Sequence, residues 1–280
     1  MTYKEIKYNL KELLSKEHSE REAKNLTKLF LEYLTGLKYL QIILLEDNKA
    51  EQIVLDRYNT ILPRIINSEP SQYIIGKAFF IDFELNVDNS VLIPRPETEE
   101  LVRWINELNP NANKKVLDIG TGSGCIALGL KYFNSNFNVN ACDVSAKAIL
   151  MAKKNSSELN LAVNFFELNI LKCNEIEEEY DIIVSNPPYI PTVEKELMSK
   201  NVLNFEPHIA LFTNNENPLI FYKKISELAF EYLAKKGLLF FELNEFYADE
   251  IYAIMDNIGF TNIELKKDFQ GKYRMIKGTK

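Results

Sequence analysis

A chain of 280 residues, 46% hydrophobic and 26% charged, can build one large domain or two smaller ones without disulfides or metals as staples. Its three cysteines, Cys125, Cys142 and Cys173, form no CxxC pair and read as the reduced thiols of a cytoplasmic protein, while the distant His18 and His208 offer no zinc-ligand spacing. A net charge of −7 without a dense Lys/Arg cluster argues against stable nucleic-acid binding, Met1–Leu14 lacks the apolar core of a signal peptide, and no apolar run is long enough to span a bilayer.

Residues 1–70 read as a helical domain. Ile6, Leu10, Leu13 and Leu14 recur at helical spacing. Ser19 and Glu22 form a capping-box pair ahead of the stripe Ala23, Leu26, Phe30 and Leu34, which Gly36 closes. A third helix is predicted near Leu37–Leu45 and a fourth over Lys49–Ile66, where Pro63 should kink or shorten it. The texture changes at Glu69-Pro70. Phe79, Ile81, Phe83 and Leu85 alternate with other residues, Val87-Asp88-Asn89-Ser90 reads as a turn, and Val91-Leu92-Ile93 resumes the strand. Residues 71–95 are therefore expected to be a β-hairpin connector.

Over residues 96–280 helices and strands alternate. Strands are predicted at Lys115–Ile119, Asn138–Cys142, Val163–Phe166, Asp181–Ser185, Leu238–Leu243, Thr261–Lys266 and Tyr273–Lys277, with helices near 124–133, 145–159, 218–235 and 246–258. Such alternation implies an α/β fold with a mostly parallel sheet covered on both faces. The two closing strands, with no helix between them, imply an antiparallel edge.

The first chemical motif is Val116-Leu117-Asp118-Ile119-Gly120-Thr121-Gly122-Ser123-Gly124, an apolar strand entering a glycine-rich turn that opens a helix. Glycines at 120, 122 and 124 allow a tight turn against which a ligand can lie. The third glycine falls one residue short of the GxGxxG dinucleotide pattern, and position 125 is Cys, so a nucleoside without a pyrophosphate fits better. Asp143 closes the next predicted strand, where a carboxylate can accept bonds from both ribose hydroxyls or can cap the helix starting near Ser145.

The second motif is Asp181-Ile182-Ile183-Val184-Ser185-Asn186-Pro187-Pro188-Tyr189. Two prolines fix φ and stiffen the end of a buried strand, at the sheet edge where α/β proteins bind ligands. The Asn186 side-chain oxygen and the Pro187 carbonyl can both accept hydrogen bonds from one planar NH₂ group, and Tyr189 can stack on the plane that carries it. That set suits methyl transfer to a weakly nucleophilic planar nitrogen, which needs positioning more than a strong base.

Together, the glycine turn, Asp143 and Asn-Pro-Pro-Tyr resemble class I S-adenosylmethionine-dependent methyltransferases acting on planar nitrogens. Within these the chain is similar, over nearly its whole length, to the bacterial release factor glutamine methyltransferase family. The sharpest marker is Leu92-Ile93-Pro94-Arg95-Pro96-Glu97-Thr98-Glu99-Glu100-Leu101-Val102; Gln72-Tyr73-Ile74-Ile75-Gly76, Phe205-Glu206-Pro207 and Ala210-Leu211 also fit. The resemblance implies a Rossmann-like domain with a seven-stranded sheet over 96–280, and methylation of N5 of the glutamine in the Gly-Gly-Gln motif of release factors. It further implies S-adenosylmethionine bound by Gly120, Thr121, Gly122, Ser123, Gly124 and Asp143, with Asn186 also at the cofactor. Asn169, where the family places an acidic residue, and Ile170 would lie by the adenine, and Asn186, Pro187, Pro188 and Tyr189 would hold the glutamine. Arg95 and Glu97 either order the site or form an ordinary ion-paired turn at a helix N-terminus. Segment 190–217, with little regular structure expected, either covers the site or is a plain exposed loop.

A monomer that grips its release factor through residues 1–70 is expected. The rival readings are a glutamine methyltransferase of a ribosomal protein, which shares Asn-Pro-Pro-Tyr but not Pro-Arg-Pro-Glu-Thr-Glu, and an exocyclic-amine methyltransferase of nucleic acid. A dehydrogenase would need the missing sixth-position glycine, and a mere binding module would leave Asn186 and Tyr189 unexplained.

Overall fold

The computed structural model describes residues 1–110, 113–176, 178–198, 200–213 and 217–280. The chain divides into two compact units, Met1–Gly76 with Lys200–Phe205, and Lys77–Ser199 with Glu206–Lys280.

The smaller unit is helical: α1 Tyr3–Leu14, α2 Glu20–Thr35, α3 Tyr39–Leu44, α4 Gln52–Ile66 and α5 Ser71–Ile75, with the short Lys200–Phe205 helix (α9 in chain order). Ile6, Leu10, Phe30, Leu34, Val54 and Ile61 fill its core. A reciprocal capping box does occur, but at Thr2 and Glu5. Ser19 caps α2 by accepting from the Glu22 N–H at 3.3 Å, while the Glu22 carboxylate turns to His18 instead. Pro63 does not shorten α4, which runs on to Ile66. The proline removes a single rung, the N–H bond that residue 63 would give to the Asn59 carbonyl, and Ile61 and Ile65 stay buried on either side of it.

In the larger unit, β1 (Lys77–Phe80) and β2 (Phe83–Asn86) form the expected hairpin, but Phe80 pairs with Phe83, so the turn is Ile81-Asp82 and not Val87–Ser90. Ile81 sits at φ 58°, a region a β-branched residue rarely enters. Its burial with Phe80, Phe83 and Leu85 in the core of this unit outweighs that local preference. Asp88 does turn the chain, accepting from the Ser90 N–H at 2.8 Å, but Val91–Ile93 joins no strand. The hairpin's apolar side chains thus belong to the same core as Leu101, Val116 and Phe240.

Helix α6 (Pro96–Leu108) precedes the β/α alternation of β3 Lys115–Ile119, α7 Cys125–Phe133, β4 Asn138–Asp143, α8 Ala146–Leu159, β5 Asn164–Glu167 and β6 Tyr180–Ser185. Two-residue strands β7 (Ile190–Pro191) and β8 (Phe212–Thr213) pair in parallel, with a 3₁₀ turn at Thr192–Leu197 and α10 at His208–Leu211. Segment 190–217 is therefore more regular than its sequence suggests; its positions 199 and 214–216 lie outside the described residues. Then follow α11 Ile220–Tyr232, β9 Leu233–Glu242, α12 Ala248–Ile258, β10 Thr261–Lys267 and β11 Tyr273–Thr279.

The main sheet has the order β10-β11-β9-β6-β3-β4-β5. β9, β6, β3, β4 and β5 are parallel, and β11 is antiparallel to both its neighbours. The chain enters at β3, moves outward through β4 and β5, then returns to β6 on the other side of β3. This reversal opens a crevice at the carboxyl ends of β3 and β6, where such sheets bind ligands. Phe240, fully buried in β9, meets Trp104 of α6 edge-on at 5.4 Å. Phe240→Ala should lower the unfolding free energy by about 3–5 kcal/mol in urea titration, because a buried aromatic in a sheet covered on both faces leaves a void that cannot collapse.

Candidate active site

A cavity of about 270 Å³ lies at these strand ends. Neighbouring strands set its frame: Ile119 is in register with both Cys142 and Ser185, so the turns after β3 and β6 and the end of β4 stand side by side. The Ser185 hydroxyl donates to the Ile119 carbonyl at 2.7 Å, and the Gly120 and Thr121 N–H groups donate to the Cys142 carbonyl. Gly120, Thr121, Gly122, Ser123, Asp143, Asn169, Ile170, Asn186, Pro187 and Pro188 all line the cavity. Gly124 and Tyr189 are not among the lining residues.

The glycines differ in purpose. Gly120 and Gly122 have φ of 77° and 55°, and an added Cβ would meet nothing within 4 Å. Their open, left-handed backbone is a cradle that a ligand can occupy. At Gly124, φ 85°, a Cβ would come within 3.1 Å of Leu128 and 3.2 Å of Ala152. This last glycine lets α7 and α8 approach each other, which is a packing role.

Asp143 bridges two elements. One carboxylate oxygen accepts from the Gly122 N–H and the other from the Ser145 N–H, each at 2.9 Å. The α8 cap itself is Ser145, whose hydroxyl accepts from Ala148. Burial raises the Asp143 pKa, against the backbone N–H bonds that favour its charge. Asn169 uses its side-chain oxygen to accept from the Leu171 N–H at 3.1 Å, holding the turn after β5.

Around the second motif, the Asn186 amide nitrogen donates to the Thr98 hydroxyl at 3.4 Å, and Thr98 donates to a Glu242 carboxylate oxygen at 2.6 Å. Pro187 and Pro188 face the cavity, whereas the Tyr189 ring packs against the cluster containing Tyr222, Phe241 and Leu243. The side chain of a residue following two prolines goes where the core has room, which spacing does not disclose. Arg95, the N-cap residue of α6, pairs at 2.5 Å with Glu206, whose side chain is 1% exposed. Glu97 takes part differently, facing the Gln270 amide at 3.4 Å.

Sequence reading left Glu242 and the apolar wall without a role. Ile93, Leu168, Phe221 and Ile225 all line the cavity. Phe221 and Ile225 lie four residues apart on α11, a spacing indistinguishable from an ordinary core stripe. Glu242 ends an apolar strand, and that placement was its only signal.

Burial pushes the Asp118 carboxyl up to about 7 although the Thr121 hydroxyl donates to it, and it pushes Glu242 up to about 7 although Thr98 and Arg274 oppose it. Each acid holds a proton in the fold at pH values where the unfolded chain has released it. Their favourable contribution is complete below the ordinary values of 3.8 and 4.5 and is lost as pH rises through about 7. Asp118→Asn should flatten the decline of the urea midpoint over that window, and an unchanged slope would contradict the assignment. Among the described residues, no group of His, Cys, Asp and Glu could hold a metal, and no helix is long and apolar enough to cross a membrane.

Comparisons with known proteins bear on the family and the fold. A family model described as the methyltransferase small domain matches residues 100–204, and one described as the PrmC N-terminal domain matches residues 9–76. The chain is 41% identical to the release factor glutamine methyltransferase of Flavobacterium psychrophilum, over 99% of each sequence. It is 38% identical to the protein of the same name from Bacteroides thetaiotaomicron, over 95% of this chain and 96% of that one. Among solved structures, a methyltransferase from Pyrococcus furiosus superposes with a TM-score of 0.53 at 20% identity, over 79% of this chain and 98% of that one. A T. thermophilus 16S rRNA methyltransferase in complex with AdoMet and guanosine gives 0.53 at 18% identity, over 73% of this chain and 49% of that one. These two likenesses establish the class I methyltransferase fold.

Proposed function

The chain belongs to the release factor glutamine methyltransferase family, and from that premise we propose that it transfers a methyl group from S-adenosylmethionine to N5 of the glutamine in the Gly-Gly-Gln motif of peptide chain release factors. The observation that carries this reading is one cavity lined by the open glycine cradle, Asp143 and Asn186-Pro187-Pro188 together.

Gly120, Thr121, Gly122 and Ser123 would hold the cofactor against the main chain. Asp143 would accept from its ribose hydroxyls through the carboxylate lone pairs that Gly122 and Ser145 leave over. Asn169 and Ile170 line the same cavity and would flank the adenine, with Asn186 between cofactor and substrate. When bound, S-adenosylmethionine supplies an electrophilic methyl group. The Asn186 oxygen and the Pro187 carbonyl accept the two N–H bonds of the substrate amide and present its nitrogen. That nitrogen loses one proton as it gains the methyl, and two positioned oxygen acceptors let this happen without a strong base.

The same reading places the enzyme in the cytoplasm as a monomer with no stable nucleic-acid partner. Residues 1–70 would bind the body of the release factor. Leu40 and Leu44 of α3 are 78% and 86% exposed and suit a test without truncation. A double Lys substitution there should raise KM for the whole factor about tenfold, at ~1.4 kcal/mol of lost contact, and leave a Gly-Gly-Gln peptide unaffected. Equal effects on both substrates would dismiss that role. The decisive assay for function offers radiolabelled S-adenosylmethionine with a release factor, its Gln→Ala variant in Gly-Gly-Gln, and bulk RNA. Label confined to the unsubstituted factor supports the proposal. Label on RNA or on a ribosomal protein overturns the substrate.

A further inference from the structure

An asparagine amide can be placed either way round, and only one orientation serves the chemistry proposed above. If the oxygen faces the substrate amide it accepts an N–H. If the nitrogen faces it, two NH₂ groups confront each other. The side chains behind Asn186 decide between the two.

Thr98, in the first turn of α6, is 2% exposed, and so is Glu242 at the end of β9. β6 and β9 are adjacent and parallel with Ser185 opposite Phe241, which brings the next residues, Asn186 and Glu242, to the same edge. Between them stands the Thr98 hydroxyl, 2.6 Å from the Glu242 carboxylate and 3.4 Å from the Asn186 amide. A hydroxyl has one proton to give. Above about pH 7, where Glu242 has released its own proton, the Thr98 proton at 2.6 Å goes to that carboxylate in a short charge-assisted bond. What Thr98 shows Asn186 is then a lone pair, and a lone pair accepts only from an N–H. The Asn186 nitrogen is drawn back toward Thr98 and its oxygen is left for the cavity, which Asn186 lines. Glu242 is itself held in place, since the Tyr222 hydroxyl donates to its main-chain carbonyl at 3.1 Å.

We propose that Thr98 and Glu242 are positioning residues that set the polarity of the Asn186 amide, so that its oxygen accepts from the NH₂ group of the methyl acceptor. The inference rests on the functional reading above, in which Asn186 contacts the acceptor amide. It also gives a role to the threonine of the Pro-Arg-Pro-Glu-Thr-Glu stretch, which lines the same cavity. The relay selects an acceptor that donates two N–H bonds, an amide or an aromatic amine, over an oxygen nucleophile.

The experiment has two arms. In the first, turnover of a Gly-Gly-Gln peptide is measured for Thr98→Val, which keeps the shape and loses the hydroxyl, for Thr98→Ser, which keeps the hydroxyl, and for Glu242→Gln. Thr98→Val and Glu242→Gln should lower kcat about a hundredfold, the scale of losing a preorganised polar contact, while Thr98→Ser stays within about threefold of the parent. In the second, the side-chain NH₂ protons of Asn186 are followed by ¹⁵N NMR in the protein without substrate, assigned by their disappearance in Asn186→Asp. They should be protected from exchange in the parent and in Thr98→Ser, and unprotected in Thr98→Val. Unprotected protons in the parent, or wild-type turnover by Thr98→Val, would overturn the proposal. Protected protons in a parent that transfers no methyl to glutamine would instead keep the amide orientation and remove the functional reading.

Discussion

Asn186→Ala should lower turnover of a release factor by about 10²–10³-fold while leaving affinity for S-adenosylmethionine within a few-fold of the parent. The asymmetry follows from position. In the proposed function the glycine cradle and Asp143 would hold the cofactor from the ends of β3 and β4, whereas Asn186, at the end of β6, would offer the acceptor that orients the substrate amide. Truncation removes that acceptor and also leaves the Thr98 lone pair without its N–H. A misoriented amide nitrogen loses alignment with the methyl group, and alignment is most of what such a site supplies. Single-turnover rates and calorimetric cofactor titration check the two halves. A variant turning over at the parental rate would remove Asn186 from the chemistry.

The second large effect is expected at Asp143. Asp143→Ala should weaken cofactor binding by about 10²–10³-fold, since two hydrogen bonds donated by ribose hydroxyls to a carboxylate contribute about 1.5–3 kcal/mol each and are not fully additive. Part of that loss is indirect, because the carboxylate also holds the Gly122 and Ser145 N–H groups at 2.9 Å. Asp143→Asn separates the contributions. It keeps the side-chain shape and one acceptor oxygen but loses one of the two N–H bonds that hold the turn, so binding should fall only about tenfold, roughly one charge-assisted bond. If Asp143 acted only as a pin for the turn, both variants would shift the unfolding midpoint in proportion to affinity. Denaturation curves measured alongside the titrations read this out.

Much of the candidate site was legible in the sequence. The turn Gly120–Gly124, the carboxylate at Asp143 and Asn186-Pro187-Pro188 each stand where a strand predicted from its apolar run comes to an end. In a parallel sheet all such ends lie on one edge, so naming the strands already groups the residues. Helical periodicity likewise gave α1, α2 and α4, because each buries a single stripe.

What sequence could not supply depends on neighbours distant in the chain. Ile81 turns the hairpin in a backbone region its own side chain disfavours, and only the core that receives it explains why. Gly124 looks like a ligand glycine and is a packing one, a distinction made by Ala152 of α8. Tyr189 has the right chemistry for stacking, yet its ring joins the cluster of Tyr222 and Phe241. The amide of Asn186 acquires its direction from Thr98 and Glu242, 88 and 56 residues away in sequence. By itself the sequence determined which residue types stand at which strand ends, since local periodicity and backbone sterics are local properties. Only the tertiary structure decided where those side chains point, because hydrogen-bond polarity and core volume are settled by residues that meet only after folding.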